Sequence, residues 1–164
     1  MFNLPITEQQ VNSAEEQIRE NQKRVDYNTL EYPMEVLVDK YLNGEIFTPD
    51  EYRNVSWDEE HQSNFIEYVF LGLPIPHILV ADVFQEDEQD DARLEVIDGT
   101  QRIRTLVKFL NNDLTLCNLK MLTELNGLKF QDLLKSRQRR FKRHTIRLVQ
   151  LTSETDKEFR QHLF

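Results

Sequence analysis

Glycine, cysteine and long apolar runs are all scarce in this sequence. Of its 164 residues, four are glycine and one, Cys117, is cysteine. A lone cysteine cannot form an internal disulfide, so nothing in the fold requires an oxidising compartment. Because it stands between apolar neighbours in "LTLCNL", we expect Cys117 to be a small buried residue and not a nucleophile.

The sequence also shows neither a membrane-spanning segment nor a signal peptide. No stretch approaches the roughly 18 consecutive apolar residues that a membrane helix needs. The first residues, "MFNLPITEQQVNSAEEQIRE", are polar and lack the basic-then-apolar order of a signal peptide. We therefore expect a cytoplasmic protein with no membrane partner. A composition of 39% hydrophobic and 30% charged residues is typical of one globular domain with its own core.

Charge is abundant but unevenly distributed. The formal net charge of −9 disfavours indiscriminate binding to nucleic acid. The acidic run at 85–91 reads as a loop, whereas "KSRQRRFKRHTIR", 135–147, contains no acidic residue at all. This basic stretch is either a solvated face or a surface that contacts DNA phosphates. In the second case, the contacting residues would be Arg139, Arg140, Lys142 and Arg143.

Hydrophobic periodicity predicts an α+β fold, a small mixed sheet surrounded by helices. Strands are predicted at 45–49, 76–84, 93–97 and 145–151, with the second and third forming a hairpin. Helices are predicted at 7–25, at 31–44, after a capping box of Ser56 and Glu59, after Gly99, and from 153 onward.

Two domains follow from this pattern. Residues 1–28 read as a polar helical arm, because the apolar positions of the 7–25 helix are sparse. Residues 29–164 form the main domain. Its last helix has no stop signal, so we expect the domain to be truncated at its C-terminus.

The segment "EVIDGTQRIRTL", 95–106, predicts a turn from a strand into a helix. Such a helix presents unpaired N–H groups and the positive end of its dipole, both of which attract anions. Gly99 permits either close approach of a ligand or a simple left-handed turn, and Arg102 offers a fork suited to phosphate. The alternative is a structural turn with Asp98 as the helix cap. No Walker-type glycine loop occurs, which excludes a P-loop enzyme.

Other candidate ligand-binding residues are few. Arg53, in "EYRNVSW", falls in a predicted loop where packing gives it no evident role, so a ligand contact and a solvent-exposed position remain equally open. The four histidines lie in separate elements without the spacing of metal ligands, and we predict no metal site.

The motifs resemble a known family. "VIDGTQRIRTL" is similar to the "IDGQQR"-type signature of the N-terminal domain of GmrSD-type modification-dependent restriction systems, in the ParB/sulfiredoxin-like superfamily. Four further segments stand in the family's order, so the resemblance covers nearly the whole chain. They are "YPMEVLVDKYLNGEIFTP", the Arg53–Trp57 spacing followed by "FIEYVFLGLPIPHILV", "LNGLKFQDL" and the closing "FRQHLF".

The resemblance implies a regulatory domain that binds, and can hydrolyse, an NTP with Mg²⁺. Its restriction-linked members sense modified DNA, while a separate nuclease domain, absent from this chain, makes the cut. Asp98 would be the catalytic residue, and the nucleotide contacts would be Arg53, Gly99, Thr100, Gln101 and Arg102. Two departures matter: Thr100 stands where the family usually has glutamine, and Glu51-Tyr52 replace an aromatic and a glutamine. The first keeps a hydroxyl for phosphate; the second weakens the implied hydrolysis or base recognition.

Overall fold

A computed structural model describes residues 4–49, 56–83 and 92–152. Its mixture of helices and strands confirms the predicted α+β class. The helices are α1 (Glu8–Gln22), α2 (Met34–Leu42), α3 (Glu59–Phe70), α4 (Thr100–Leu110) and α5 (Lys135–Arg143). The strands are β1 (Tyr27–Pro33), β2 (Ile46–Phe47), β3 (Ile78–Asp82), β4 (Leu94–Asp98) and β5 (Thr145–Leu151). The predicted helix from 153 lies outside the described residues.

The five strands form one mixed sheet in the order β1-β5-β3-β4-β2. β3 and β4 pair antiparallel, which confirms the predicted hairpin, and β2 joins β4 in parallel. β5 occupies the predicted residues and lies between β3, to which it is parallel, and β1, to which it is antiparallel. The sheet therefore places the end of β4, where the candidate turn begins, beside β3 and β2.

β1 was not predicted from the sequence. Its residues, "YNTLEYP", are mostly exposed, so they do not show the alternation of a half-buried strand. It is held instead by backbone pairing with β5 along its whole length, from Tyr27 opposite Leu151 to Pro33 opposite Thr145. Pro33 is tolerated because it ends a strand at the edge of the sheet.

The start of α3 differs from the prediction of a capping box at Ser56. Asp58 is the N-cap instead: its backbone is extended, and its carboxylate accepts a hydrogen bond from the His61 N–H at 2.8 Å. This bond lowers the pKa of Asp58, because it stabilises the ionised form. Ser56 donates its hydroxyl to the Trp57 carbonyl at 3.2 Å. A carboxylate closer to the apolar run is the better cap, since its charge also complements the helix dipole.

Cys117 is half-buried, whereas the sequence predicted a buried residue. Its backbone N–H donates to the hydroxyl of the fully buried Ser63 at 3.1 Å. The segment after α4 is thus tied to α3 by a hydrogen bond at this point. Burial of the thiol is not required for that contact.

Four phenylalanines fill the core between the helices. Phe109 of α4 lies with ring centroids 5.4 Å from Phe130, 5.2 Å from Phe141 and 6.0 Å from Phe70. These separations and tilted planes are those of favourable edge-to-face aromatic pairs. Phe141 is the buried residue of α5, so this cluster anchors the basic helix to the core.

None of the helices within the described ranges is both long enough and apolar enough to cross a membrane.

We expect Phe109→Ala to lower the free energy of unfolding by about 3–5 kcal/mol, because it leaves a cavity among three other rings. Urea denaturation followed by circular dichroism measures this change. Leu42→Ala is the control: Leu42 is 64% exposed, and its loss should change stability by no more than about 0.5 kcal/mol. Equal effects of the two substitutions would contradict the described core.

Candidate functional site

Gly99 forms the turn between β4 and α4 and is the N-cap of that helix. Its φ of +112° lies in the left-handed region, which residues with a side chain rarely adopt. A Cβ atom there would lie 3.0 Å from Cγ1 of Ile78 and 3.3 Å from the Arg102 guanidinium. Conformation and space therefore both require glycine, because the side chains of Ile78 and Arg102 occupy the position that a Cβ would take.

Asp98 does not cap α4. Its carboxylate is 71% exposed and lies 3.4 Å from a guanidinium nitrogen of Arg102, one helical turn further on. Within the described residues, no first-turn N–H of α4 donates to this carboxylate. The alternative that the sequence left open, a structural turn with Asp98 as the helix cap, is therefore wrong about the cap, which is Gly99.

Arg102 is packed against the backbone that leads into β3. Its guanidinium donates to the carbonyl oxygen of Pro76 and to that of His77, the latter at 3.2 Å. The side chain is 11% exposed. Burial lowers the pKa of Arg102, and the nearby Asp98 carboxylate opposes that shift. Arg102 thus joins the turn to the 76–77 segment and keeps a positive charge just beneath the helix terminus.

The hydroxyl of Thr100 belongs to a chain of three hydroxyl groups. Its Oγ1 is 3.3 Å from Oγ1 of Thr48, which is in turn 3.0 Å from the Tyr41 hydroxyl. Thr48 is 4% exposed, and both of its hydrogen-bonding contacts are to side chains. Thr48 and Tyr41 could not be predicted as neighbours of this turn, because the parallel pairing of β2 with β4 is what brings them to it.

Gln101 connects the turn to the start of α3. Its side-chain oxygen accepts a hydrogen bond from the Trp57 N–H at 2.9 Å. Trp57 in turn packs against Phe65, with ring centroids 6.0 Å apart. The turn is therefore in contact with the chain that follows Arg53. Arg53 itself lies outside the described residues, and its ligand role remains a prediction.

The basic stretch forms α5 and leads directly into β5. Arg139, Arg140 and Arg143 are exposed, whereas Lys142 is half-buried with Nζ 5.8 Å from the ring centre of Phe130. Across the described ranges, no carboxylate lies within ion-pair distance of a basic side chain of α5. This helix is therefore a concentrated positive surface that the described part of the protein does not neutralise.

The part of the chain that the structure describes contains no group of three histidine, cysteine or acidic side chains able to hold a metal ion. The turn at 98–102 offers one carboxylate, that of Asp98. A metal bound there would need most of its ligands from water or from the bound molecule.

Fold and site together define a mixed-sheet α+β domain whose distinguishing feature is a glycine turn at the start of an amphipathic helix. The chain belongs to the family "GmrSD restriction endonuclease, N-terminal domain", whose model matches residues 34–164. This confirms the family resemblance and links the chain to DNA restriction. No curated protein and no solved structure gives a significant match.

Gly99→Ala should destabilise the protein more than Gly127→Ala does. Both residues have a positive φ, but a Cβ at Gly127 has nothing within 4 Å, whereas one at Gly99 meets Ile78 at 3.0 Å. The backbone penalty of about 1–2 kcal/mol is common to both, and crowding adds about 1–3 kcal/mol at Gly99. Thermal and urea unfolding of both variants measure the difference. Equal losses of stability in the two variants would show that the Ile78 side chain moves aside at no energetic cost.

Proposed function

We propose that this domain is the regulatory part of a restriction or phage-defence protein and binds the phosphates of a nucleotide at the N-terminus of α4. The observation that carries this proposal is the helix terminus itself. It starts at a left-handed glycine, which brings no capping side chain, and it faces the buried positive charge of Arg102. Backbone N–H groups and a helix dipole in this arrangement favour an anion.

Each residue of the turn has its own part in this proposal. Gly99 supplies the left-handed conformation at which the helix starts, and the Cβ position that it leaves vacant is taken by Ile78 and Arg102. Thr100 and Gln101 place the first N–H groups of the helix, and their side chains are held by Thr48 and by the Trp57 N–H. Arg102 supplies positive charge but little open surface, since it also holds the 76–77 carbonyls. Arg53 is proposed to close the site from the segment before Trp57.

Magnesium fits this site as part of the ligand. Mg²⁺ is commonly held by one or two carboxylates together with substrate phosphates and water, and Asp98 is exposed and one helical turn from Arg102. When bound, the ion would neutralise phosphate charge. If the domain hydrolyses the nucleotide, the Asp98 carboxylate is the group that orients the attacking water. Cleavage of DNA is assigned to a separate nuclease domain.

The nucleotide proposal predicts that Arg102→Ala weakens binding of an NTP with Mg²⁺ about tenfold or more. A unit charge 4–8 Å from a phosphate contributes about 2–4 kcal/mol at an effective dielectric constant of about 20, and 1.4 kcal/mol corresponds to tenfold. Isothermal titration calorimetry with ATP and GTP, in the presence of Mg²⁺, gives the affinities. Asp98→Asn should weaken the Mg²⁺-dependent part of the binding and lower any phosphate release.

Arg147→Ala is the control for the calorimetry. Arg147 is an exposed arginine on β5 that pairs with Glu31 of β1 at 2.8 Å, and β3 separates β5 from β4, where the candidate turn begins. This variant should bind as the wild type does. Thermal unfolding of all three variants separates loss of binding from loss of fold. Absent heats for wild type, or equal affinities for wild type and Arg102→Ala, would refute the site.

A second function is favoured by α5: contact with DNA phosphates. Six of the nine residues in "KSRQRRFKR" are basic, and the described structure gives them no acidic partner. Like charges one turn apart, such as Arg139 and Arg143, weaken a helix by about 0.2–0.5 kcal/mol per pair. A polyanion would relieve this repulsion. The net charge of −9 then restricts nucleic-acid contact to this one face.

The double charge reversal Arg139→Glu/Arg140→Glu should abolish duplex DNA binding, whereas Arg102→Ala should leave it intact. For the wild type, the logarithm of the affinity should fall with the logarithm of salt by about 0.9 per phosphate contacted. Fluorescence anisotropy at several salt concentrations measures both effects. Arg19→Glu/Lys23→Glu, at two exposed basic residues of the α1 segment, changes the net charge by the same amount and is the matched control. Salt-independent binding, or unchanged binding by the double variant, would exclude α5 as the interface.

A further inference from the structure

Three hydroxyl groups, those of Tyr41, Thr48 and Thr100, form a chain that ends at the first residue of α4. Oγ1 of Thr48 lies 3.0 Å from the Tyr41 hydroxyl oxygen and 3.3 Å from Oγ1 of Thr100. Thr48 is buried, whereas Tyr41 and Thr100 are half-buried. Within residues 4–49, 56–83 and 92–152, these three hydroxyls have no other hydrogen-bonding partner. The chain therefore has one buried member and two partly exposed ends.

A count of protons shows where this chain has a donor to spare. The three hydroxyl groups carry one proton each, and their two mutual contacts use two of these protons. If the third proton stayed on Thr48, a buried donor would have no acceptor, which is costly. The spare proton is therefore at one end of the chain, on Tyr41 or on Thr100.

The chemistry of the two ends decides between them. A phenol is a stronger acid than an aliphatic alcohol, so it is the better hydrogen-bond donor and the poorer acceptor. Tyr41 therefore donates to Thr48, and Thr48 donates to Thr100. The spare proton is left on Thr100, beside the first N–H groups of α4. The Thr48–Thr100 contact is also the longer of the two, so the Thr100 hydroxyl is held less tightly and can turn its proton toward a ligand.

We propose that Tyr41 and Thr48 are positioning residues for the ligand of α4, and that Thr100 donates its hydroxyl proton to a phosphate oxygen. This inference rests on the proposed function, because it adds one donor to the N–H groups of the same helix terminus. An ionised phosphate oxygen only accepts hydrogen bonds, so it matches a terminus whose groups all donate. When Thr100 donates to this oxygen, its own oxygen becomes a better acceptor for the Thr48 proton, and the whole chain strengthens.

The contribution of Tyr41 is the direction of the chain. Without the phenol, Thr48 receives no proton and becomes an acceptor that Thr100 can satisfy. Thr100 then donates inward and presents lone pairs, not a proton, to the phosphate oxygen. Turning the hydroxyl outward again has a cost, so affinity falls although Tyr41 itself does not touch the ligand.

Calorimetric titration of variants of the full chain with ATP and Mg²⁺ tests this role. Thr100→Val should weaken binding about tenfold or more, because it removes a hydrogen bond to a charged oxygen. Tyr41→Phe and Thr48→Val should each weaken it about threefold, and Thr48→Ser, which keeps a hydroxyl, should bind as the wild type does. In the Thr100→Val background, Tyr41→Phe should have no further effect. Tyr27→Phe, at an exposed residue of the edge strand β1, is the matched control.

Urea unfolding of each variant separates loss of binding from loss of fold. A Thr48→Ser variant as weak as Thr48→Val, or an equal effect of Tyr41→Phe with and without Thr100→Val, would overturn the proposal, since both results indicate a packing role alone. If Arg102→Ala weakens binding and a folded Tyr41→Phe variant binds as the wild type does, the hydroxyl chain is wrong and the phosphate site stands. Absent heats for the wild type would overturn both.

Discussion

The contact of Arg102 with the backbone before β3 is the interaction on which the candidate site depends. It fixes the first turn of α4 against the carbonyls of Pro76 and His77, directly below Gly99. Gly99 can follow this path because it tolerates a φ of +112° and leaves Ile78 undisturbed. The same arginine thus gives the turn its rigidity and gives the helix terminus its positive charge, so structure and proposed binding share one side chain.

Three further hydrogen-bonding contacts position the turn from outside its own sequence. Thr48 contacts Thr100, Tyr41 contacts Thr48, and the Trp57 N–H donates to Gln101. Together they join β2, α2 and the start of α3 to one point. A site held from several elements is preorganised, because its groups do not have to be ordered again when a ligand arrives. This arrangement supports the proposed role of the turn independently of any single residue.

Much of the fold could be predicted from local patterns. β5 and the β3–β4 hairpin are rich in β-branched residues, and α4 has an apolar stripe, so periodicity alone was sufficient. β1 could not be found in this way, because backbone pairing with β5 and not burial holds it in place. Asp58 displaced Ser56 as a cap because two capping residues compete within one short segment.

The candidate site was predictable in its residues but not in its contacts. Gly99 and Arg102 are three residues apart in the sequence, so they had to lie within one helical turn of each other. The partners of Arg102 are backbone carbonyls some 25 residues away, and no sequence pattern marks a carbonyl. Thr48 and Thr100 are 52 residues apart and meet only through the parallel pairing of β2 and β4.

The connection between α5 and the sheet has a mechanical consequence. One residue, His144, separates the last residue of α5 from the first of β5, and its carbonyl accepts the Met34 N–H at 2.8 Å. Because the connection is a single residue, α5 cannot change its orientation without displacing β5, the strand next to β3. A force applied to α5 is therefore transmitted to β5 and, through its pairing, to β3, whose preceding residues Pro76 and His77 are bound by Arg102.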